Sequence, residues 1–323
     1  MSTSTAPPGS PPRAAPKAVQ RPGDRIFAVA AAGAGILILL VLAGVAGFLL
    51  VQAYPALIAE PEALPTPSAG GEGFVAYVWP LLYGTLLAAT LALLVATPLA
   101  VAVALYVSHY APRRLAQGLG YLVDLLAAVP SIIFGLWGLA VLAPLSVPPT
   151  RWLEDNLGFI PLFAGPASAI GRTMLVAALV LAVMILPIIT AVAREVFLQT
   201  PKLHEEAALA LGATHWEMVR MAVLPFGRSG IVSGAMLGLG RALGETMAIT
   251  IVLSVSGGVT LNLISDGNPA TIAANIALEF PESTGLDVNT LIATGLVLFV
   301  VTLLVNVLAR YVINRRRDFS GAN

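Results

Sequence analysis

The chain has 323 residues, of which 58% are hydrophobic and only 11% are charged, and its formal net charge at pH 7 is zero. Its mean hydropathy of +0.89 separates it from soluble domains, which carry about 25% charged residues. The absence of cysteine excludes disulfide bonds, thiol catalysis and cysteine-based zinc sites. This composition predicts a polytopic membrane protein.

The chain opens with a stretch rich in Pro, Ser and Ala, residues 1–24, that contains Arg13, Lys17 and Arg21. We predict a disordered, basic cytoplasmic tail here. The alternative is a signal peptide. The apolar run that follows, about 27–51, is too long for the core of a signal peptide and lacks a clean cleavage site. We therefore interpret it as the first spanning helix.

Six apolar runs are long enough to cross a bilayer as helices. They lie near residues 27–51, 80–107, 121–145, 173–198, 229–255 and 289–313. Prolines inside three of them are tolerated because neighbouring helices satisfy the freed backbone groups. The sequence thus predicts an all-α membrane domain over residues 25–317, followed by a short tail, 318–323.

Lysine and arginine in the connections predict the orientation in the membrane. Connections 52–79 and 256–288 contain acidic but no basic residues, whereas 108–120 and 199–228 contain several basic ones. The third connection, 146–172, is mixed, and the C-terminus ends in a run of arginines. Both termini and the even-numbered connections are therefore predicted to be cytoplasmic. The last outer connection is expected to help dock a soluble partner.

The cytoplasmic connection after the fourth span predicts two short helices. The first, 202–211, is expected to expose Glu205 and Glu206 and is stopped by Gly212 as a C-cap. Thr214 begins the second as its N-cap, with Glu217 as the reciprocal partner of a capping box. Pro225 is expected to end that helix. Such an element, tethered at both ends to spans, has the shape of a docking site for another protein.

The fifth predicted span carries two charges near its middle, Arg241 and Glu245. On a continuous helix Arg241 would lie about 15–18 Å from either end, at a depth where an arginine costs roughly 2.5–3.5 kcal/mol. Glu245 would share its face and neutralise it. Gly230, Gly234 and Gly238 follow the same face, and such small residues let another backbone approach. We expect this face to line a seam between two subunits.

These residues suit an anion pathway, because an arginine fork binds two oxygens of an oxyanion at once. Arg241 is the predicted pathway group and Glu245 its counter-charge, with a purely structural ion pair as the alternative. Thr246 and Ser131 are candidate hydroxyl donors to the same pathway. For both, hydrogen bonding to the helix backbone is the alternative.

Other polar residues are given structural interpretations. The histidines lie near the cytoplasmic ends of helices, and no two of them have metal-ligand spacing, so no metal site is predicted. They are His109, His204 and His215. Arg194 and Glu195 are interpreted as an interface pair rather than a gate, and Asp124 as an acid near the start of span three. Arg172 is expected to anchor the start of span four, the alternatives being that it contacts a soluble binding protein or attracts anions.

A resemblance to a known family enters at the cytoplasmic connection. Glu206-Ala207-Ala208, then Gly212, then Leu224-Pro225 resemble the EAA loop of ABC-importer permeases, in which this loop docks into the ATPase subunit. The resemblance implies a coupling role for seven residues: Glu205, Glu206, Ala207, Ala208, Gly212, Leu224 and Pro225. One departure is Ala222, where the family usually has isoleucine. An ordinary interfacial helix is the alternative.

A finer resemblance covers most of residues 75–317. The stretches are Tyr110-Ala-Pro112, Ala128-Val-Pro-Ser-Ile-Ile-Phe-Gly135 with Trp137-Gly138, Arg151-Trp-Leu-Glu-Asp-Asn156, Gly240-Arg-Ala-Leu-Gly-Glu-Thr-Met247 and Leu303-Leu-Val-Asn-Val-Leu-Ala-Arg310. They resemble permeases of the phosphate ABC importer, of the PstC rather than the PstA type. The resemblance implies a type I (MetI-like) permease fold in the bacterial inner membrane.

It also implies partners. These are a second permease subunit of the PstA type, an ATPase dimer of the PstB type, an extracytoplasmic phosphate-binding protein of the PstS type, and phosphate itself, with no nucleic acid. ATP and Mg are expected on the ATPase and no cofactor on this chain, since neither Lys17 nor Lys202 lies in a P-loop pattern. The chain is thus predicted to be a non-enzymatic transport subunit.

Three other functions are weighed against this one. A secondary transporter driven by an ion gradient would use Arg241 and Glu245 as an ion relay, but it needs no ATPase dock. An intramembrane enzyme lacks a Ser/Lys or Asp/Asp pair at matching depth. A permease for another oxyanion, sulfate or molybdate, shares the EAA loop, so only the stretches 129–135 and 240–247 favour phosphate.

Overall fold

The computed structural model describes residues 22–65, 73–255 and 258–315. Twelve α-helices lie within these ranges. In chain order they are α1 (Pro22–Ile58), α2 (Gly73–Leu105), α3 (Arg113–Ala127), α4 (Ser131–Trp137), α5 (Ala143–Leu157), α6 (Met174–Leu198), α7 (Lys202–Ala210), α8 (His215–Met218), α9 (Leu224–Leu243), α10 (Met247–Val252), α11 (Ile272–Glu279) and α12 (Leu286–Arg315).

The predicted all-α architecture with six spans is confirmed. Six helical segments of the described chain are long and apolar enough to cross a membrane: Gly23–Ile58, Gly73–Tyr110, Ser131–Leu157, Met174–Leu198, His215–Leu243 and Leu286–Tyr311. The described residues contain no strand, only an isolated bridge between Val255 and Asn268. The predicted tails fall largely outside the described residues, although residues 22–24 already begin α1.

The chain divides into two compact units after Phe48. The described part of the first unit, residues 22–48, is helical throughout. Its outward side chains are almost all apolar, which suits contact with lipid tails. The second unit contains the rest of α1 and all the other helices.

Helix α6 is the centre of the second unit, and small residues of two neighbours pack against it. On α2, buried alanines recur every four residues from Ala88 to Ala104. On α9, a Cβ added at Gly230 would meet Val196, and one at Gly234 would lie 3.3 Å from the carbonyl oxygen of Ile189. The glycine stripe therefore faces this chain's own α6, and the expectation that it lines a seam between subunits is wrong.

The third span lies further along the chain than predicted. Residues 121–145 do not form one helix, because Pro130 has an extended backbone and separates α3 from α4, as expected where a proline removes a helix donor. The span instead runs from Ser131 to Leu157 through a π-helical turn at Gly138–Leu142. Residues 146–157 of the predicted third outer connection thus belong to α5.

The fifth span also begins earlier than predicted. Pro225 does not end the helix that starts at His215, because a π-helical turn, Val219–Val223, carries it into α9. A proline ring normally clashes with the carbonyl four residues earlier, and the wider π-turn accommodates it. Span five and the second helix of the cytoplasmic connection are consequently one element.

The last outer connection is more deeply packed than predicted. Ile264 and Asn268 are fully buried, and the amide of Leu263 donates to the carbonyl of Leu162 at 2.9 Å. On α2, the Thr85 hydroxyl accepts from the amide of Ile272 at 2.9 Å. Residues 262–265 and 268–272 are thus packed inside the unit, and for them the expected role as a docking surface is wrong.

Candidate functional site

The two mid-membrane charges lie at a break in the fifth span. Helix α9 ends at Leu243, Gly244 is its C-cap, and α10 begins at Met247. Arg241 is in the last turn of α9, where a cation is favoured by the helix dipole. No ion pair between Arg241 and Glu245 is present among the described residues. The predicted pairing on one helical face is wrong because the helix stops between them.

Glu245 is committed to the start of α10. Its side chain is only 7% exposed, and Oε1 accepts a hydrogen bond from the amide of Ala248 at 3.0 Å. A carboxylate in this position satisfies a free amide of the first helical turn. Its negative charge is therefore directed at α10 rather than at Arg241.

Arg241 is partly buried and under-satisfied. Its Nε atom is buried and has no hydrogen-bond partner in the described part of the chain. A buried donor without a partner costs about 1–3 kcal/mol, and more when it belongs to a charged group. An oxyanion that accepts from the guanidinium would remove this cost. The Nε atoms of Arg172 and Arg194 are buried without a partner in the same way.

The two hydroxyl candidates differ in how they are used. The Thr246 hydroxyl donates to the carbonyl of Gly244 at 3.2 Å, which is the backbone role that was the alternative. Ser131 opens α4 and is partly exposed. It shares no hydrogen bond with Arg241, Glu245 or Thr246 in the described structure, so its pathway role stays a prediction.

Helix α4 brings a second sequence stretch, residues 131–137, next to the break. A Cβ added at Gly135 would lie 2.8 Å from the Cα of Ala248, which shows that the α4 and α10 backbones nearly touch. One added at Gly138 would meet Val180 and Val252. The two stretches that favoured phosphate in the sequence, 129–135 and 240–247, thus adjoin one another in the structure.

Arg172 holds the other end of α10. Its Nη2 atom donates to the carbonyls of Ile251 and Leu253, at 3.2 Å each, and its own carbonyl accepts from the amide of Ser254 at 3.2 Å. A guanidinium at a helix C-terminus satisfies carbonyls that have no helical partner. Arg172 therefore acts as an anchor, as expected, but its partner is the C-terminal end of α10, which the sequence did not reveal.

The cytoplasmic connection folds as its caps predicted. Gly212 follows α7 with a φ of +85°, a conformation that glycine adopts without strain. Thr214 and Glu217 form the predicted capping box at the start of α8. The connection exposes large apolar side chains, with Leu211 90%, Leu203 77% and Trp216 56% exposed. An apolar surface of this kind in a connecting segment marks a contact site.

The candidate coupling residues fall into two groups. Glu206 and Ala207 are exposed, whereas Ala208 and Leu224 pack against the cluster formed by the cytoplasmic ends of α2 and α6 with residues 218–223. Glu205 was expected to be exposed. It instead lies against the body of the protein, with Oε1 3.6 Å from Nε2 of His109.

Arg194 and Glu195 do not pair with each other. An Nη atom of Arg194 lies 3.9 Å from Asp124 on α3, and a Cβ at Gly120 would collide with the same guanidinium. Glu195 accepts from Gln199 at 3.4 Å. Asp124 is near the C-terminal end of α3, not at the start of a span, so both interpretations are corrected: Arg194 ties α3 to α6.

A family comparison matches most of the chain. The model of the family described as "Binding-protein-dependent transport system inner membrane component" matches residues 96–318. Among solved structures, one titled "Inward facing conformations of the MetNI methionine ABC transporter" aligns with a TM-score of 0.47 and 19% identity, over 73% of this chain and 94% of that one.

Curated relatives are similar over nearly their whole length. The phosphate transport system permease protein PstC 2 of Mycobacterium tuberculosis is 48% identical over 298 residues, which cover 90% of this chain and 91% of the relative. PstC of Mycobacterium leprae is 44% identical, over 93% and 96% of the two chains. PstC of Mesorhizobium japonicum is 40% identical, over 93% and 92%.

Proposed function

The chain belongs to the binding-protein-dependent transport system inner membrane components, and within them to the PstC permeases of phosphate transport systems, and on this premise we infer that it forms half of the pathway of an ATP-driven phosphate importer. It is a multi-pass membrane protein and a transport permease subunit. The pathway residues, the partner chains and the orientation of the termini are parts of the proposal.

One observation supports the pathway above all others. Arg241 lies at a helix break in a spanning segment and keeps a buried Nε donor without a partner among the described residues. Glu245 is bound to the amide of Ala248 and leaves that guanidinium free. A fixed cation at the break would attract an oxyanion that has shed its water, and an arginine fork matches two phosphate oxygens.

The cytoplasmic connection supports an ATPase partner. Its exposed leucines lie on α7 and at its end, and its exposed tryptophan lies on α8. Glu206 adds an exposed negative charge to the same surface. The proposed occupant is an ATPase dimer of the PstB type that binds ATP and Mg. A second permease of the PstA type would complete the pathway, and a phosphate-binding protein of the PstS type would deliver phosphate from outside.

Orientation follows from charge. The connections and the C-terminal end that carry most arginine and lysine would face the cytoplasm of a bacterial inner membrane. Both termini are then cytoplasmic, and α11 with its following turn faces outside. The same orientation puts α7 on the side where ATP is available.

A substitution in the EAA stretch tests the proposal. Glu206→Lys reverses an exposed charge on the surface assigned to the ATPase, so we expect ATPase binding and phosphate uptake to fall about tenfold. The measurements are co-purification of the ATPase from membranes and uptake of labelled phosphate, with excess sulfate or molybdate as competitor.

Glu282→Lys is the matched control, because Glu282 is also exposed but belongs to an outer connection. Normal ATPase binding by Glu206→Lys would remove the coupling assignment. Uptake that persists without any ATPase would favour a gradient-driven carrier, and competition by sulfate equal to that by phosphate would favour another oxyanion.

A further inference from the structure

The end of α2 carries a histidine that is buried against the connection 199–228, which we call the coupling connection after its proposed role. His109 lies in a π-helical turn, Tyr106–Tyr110, that follows α2. Its side chain is only 8% exposed, and its Nδ1 atom lies 2.7 Å from the hydroxyl of Ser108. That contact fixes the ring so that Nε2 faces Glu205. The orientation of this histidine is thus set from both sides.

Glu205 and Glu206 are neighbours in sequence but occupy different environments. The side chain of Glu205 is 23% exposed and lies 3.6 Å from His109, whereas Glu206 is exposed. Adjacent residues on a helix project about 100° apart, so one can face the protein while the other faces a partner. Within the described residues, the Glu205–His109 pair is the one close contact between an acidic and a basic side chain that joins the coupling connection to a spanning helix.

A second contact supports the same arrangement. The ring of Tyr110 lies over that of His215, with centroids 4.8 Å apart and planes inclined at 56°. This tilted geometry is typical of favourable ring pairs. Two consecutive residues at the end of α2 therefore contact both helices of the connection: His109 contacts α7, and Tyr110 contacts α8.

Helix α2 also reaches the packed outer connection. Thr85 accepts a hydrogen bond from Ile272, and Gly84 admits the carbonyl of Ala270 so closely that a Cβ there would lie 2.5 Å from it. Thr85 and His109 are 24 positions apart, or about 35 Å along a helix. Helix α2 with the π-helical turn that follows it thus contacts the coupling connection at one end and the outer connection near the other end.

We propose that His109 and Glu205 form a positioning pair that transmits movement of α7 to α2, and that Glu205 is not a contact of the ATPase. This inference rests on the proposed function, because it assumes that α7 is gripped by an ATPase. Glu206 and the exposed apolar residues make that grip, and the His109–Glu205 pair passes the displacement on.

An exchange of charges tests the pair. His109→Glu places two carboxylates next to each other, and Glu205→Arg places two basic side chains next to each other. Each single variant is therefore expected to lower the amount of phosphate transported per ATP hydrolysed by about tenfold, equivalent to about 1.4 kcal/mol. The double variant H109E/E205R restores an opposite pair, and we expect its ratio to return to within about threefold of the parent protein. The measurement uses the whole importer in proteoliposomes.

The controls separate positioning from docking. ATPase co-purification should be unchanged in His109→Glu and Glu205→Arg but reduced in Glu206→Arg, and H109E/E206R should show no recovery. A double variant as impaired as the single ones, in membrane accumulation or in transport, would overturn the inference, as would single variants that match the parent. If the parent complex itself transports no phosphate or binds no ATPase, the proposed function fails instead.

Discussion

The coupling connection and the break in the fifth span are both interruptions between two helices, yet they are stabilised differently. In the connection, Gly212 and the Thr214–Glu217 box lie within a few residues of the ends they cap. At the break, Glu245 caps the start of α10 through the amide of Ala248, but the far end of α10 depends on Arg172, which reaches carbonyls 79 and 81 residues away. Water can satisfy backbone groups in a loop outside the bilayer, whereas within a bilayer the protein must supply every partner.

The largest effect is expected at the break, from Arg241→Ala. It removes a guanidinium whose buried Nε has no partner among the described residues, and charge-assisted bonds to an anion are worth about 1.5–3 kcal/mol each. We expect phosphate uptake to fall about a hundredfold while the complex still assembles. Arg228→Ala is the matched control, since Arg228 lies on the same helix but is exposed. Normal uptake by an assembled Arg241→Ala complex would contradict the pathway role.

A smaller effect is expected from Arg172→Met, which leaves the carbonyls of Ile251 and Leu253 without their donor. Losing such bonds costs about 1–3 kcal/mol, so α10 should open more often, without complete loss of the fold. Because the chain has no cysteine, Ser254→Cys provides a unique label, and we expect its thiol-labelling rate to rise about tenfold with Arg172→Met.

Arg151→Met is the control for that experiment, because Arg151 is exposed on α5. Equal labelling rates with Met at position 172 and at position 151 would show that Arg172 does not hold α10. The statement that a residue distant in sequence stabilises α10 would then be wrong.

The smallest effect is expected from Thr214→Ala in the coupling connection. It removes a local cap worth about 1 kcal/mol, and water replaces the lost partner. We expect amide hydrogen exchange at residues 214–217 to rise about fivefold and uptake to change by less than about twofold. Thr214→Ser keeps the hydroxyl and should behave like the parent. A loss of uptake as large as that expected for Arg241→Ala would erase the distinction between the two regions.

Local signals in the sequence predicted most of the coupling connection. The C-cap glycine and the capping box are patterns of adjacent residues, and the structure has both. What failed there was non-local: Pro225 was expected to end a helix, but a π-helical turn absorbed it. Glu205 was expected to be exposed because nothing in α7 itself announces His109 on another helix.

At the break, the sequence identified the residues but not their arrangement. Arg241 and Glu245 were singled out by the cost of charge at that depth. Their pairing was inferred from a continuous helix, and the chain instead ends α9 at Leu243 and gives Glu245 to α10. Gly244 was the available signal, since glycine favours helix ends, but glycine is also common inside membrane helices.

The sequence by itself determined the membrane class, the six spans, the family and the caps of the coupling connection. These depend on composition, on run length and on neighbours within about four residues. Only the tertiary structure decided where the spans break, which face of α9 meets α6, and which partners Arg172, Arg194 and His109 have. The physical reason is that a buried polar group must find a donor or acceptor wherever packing brings one, and that choice is made between residues far apart in the chain.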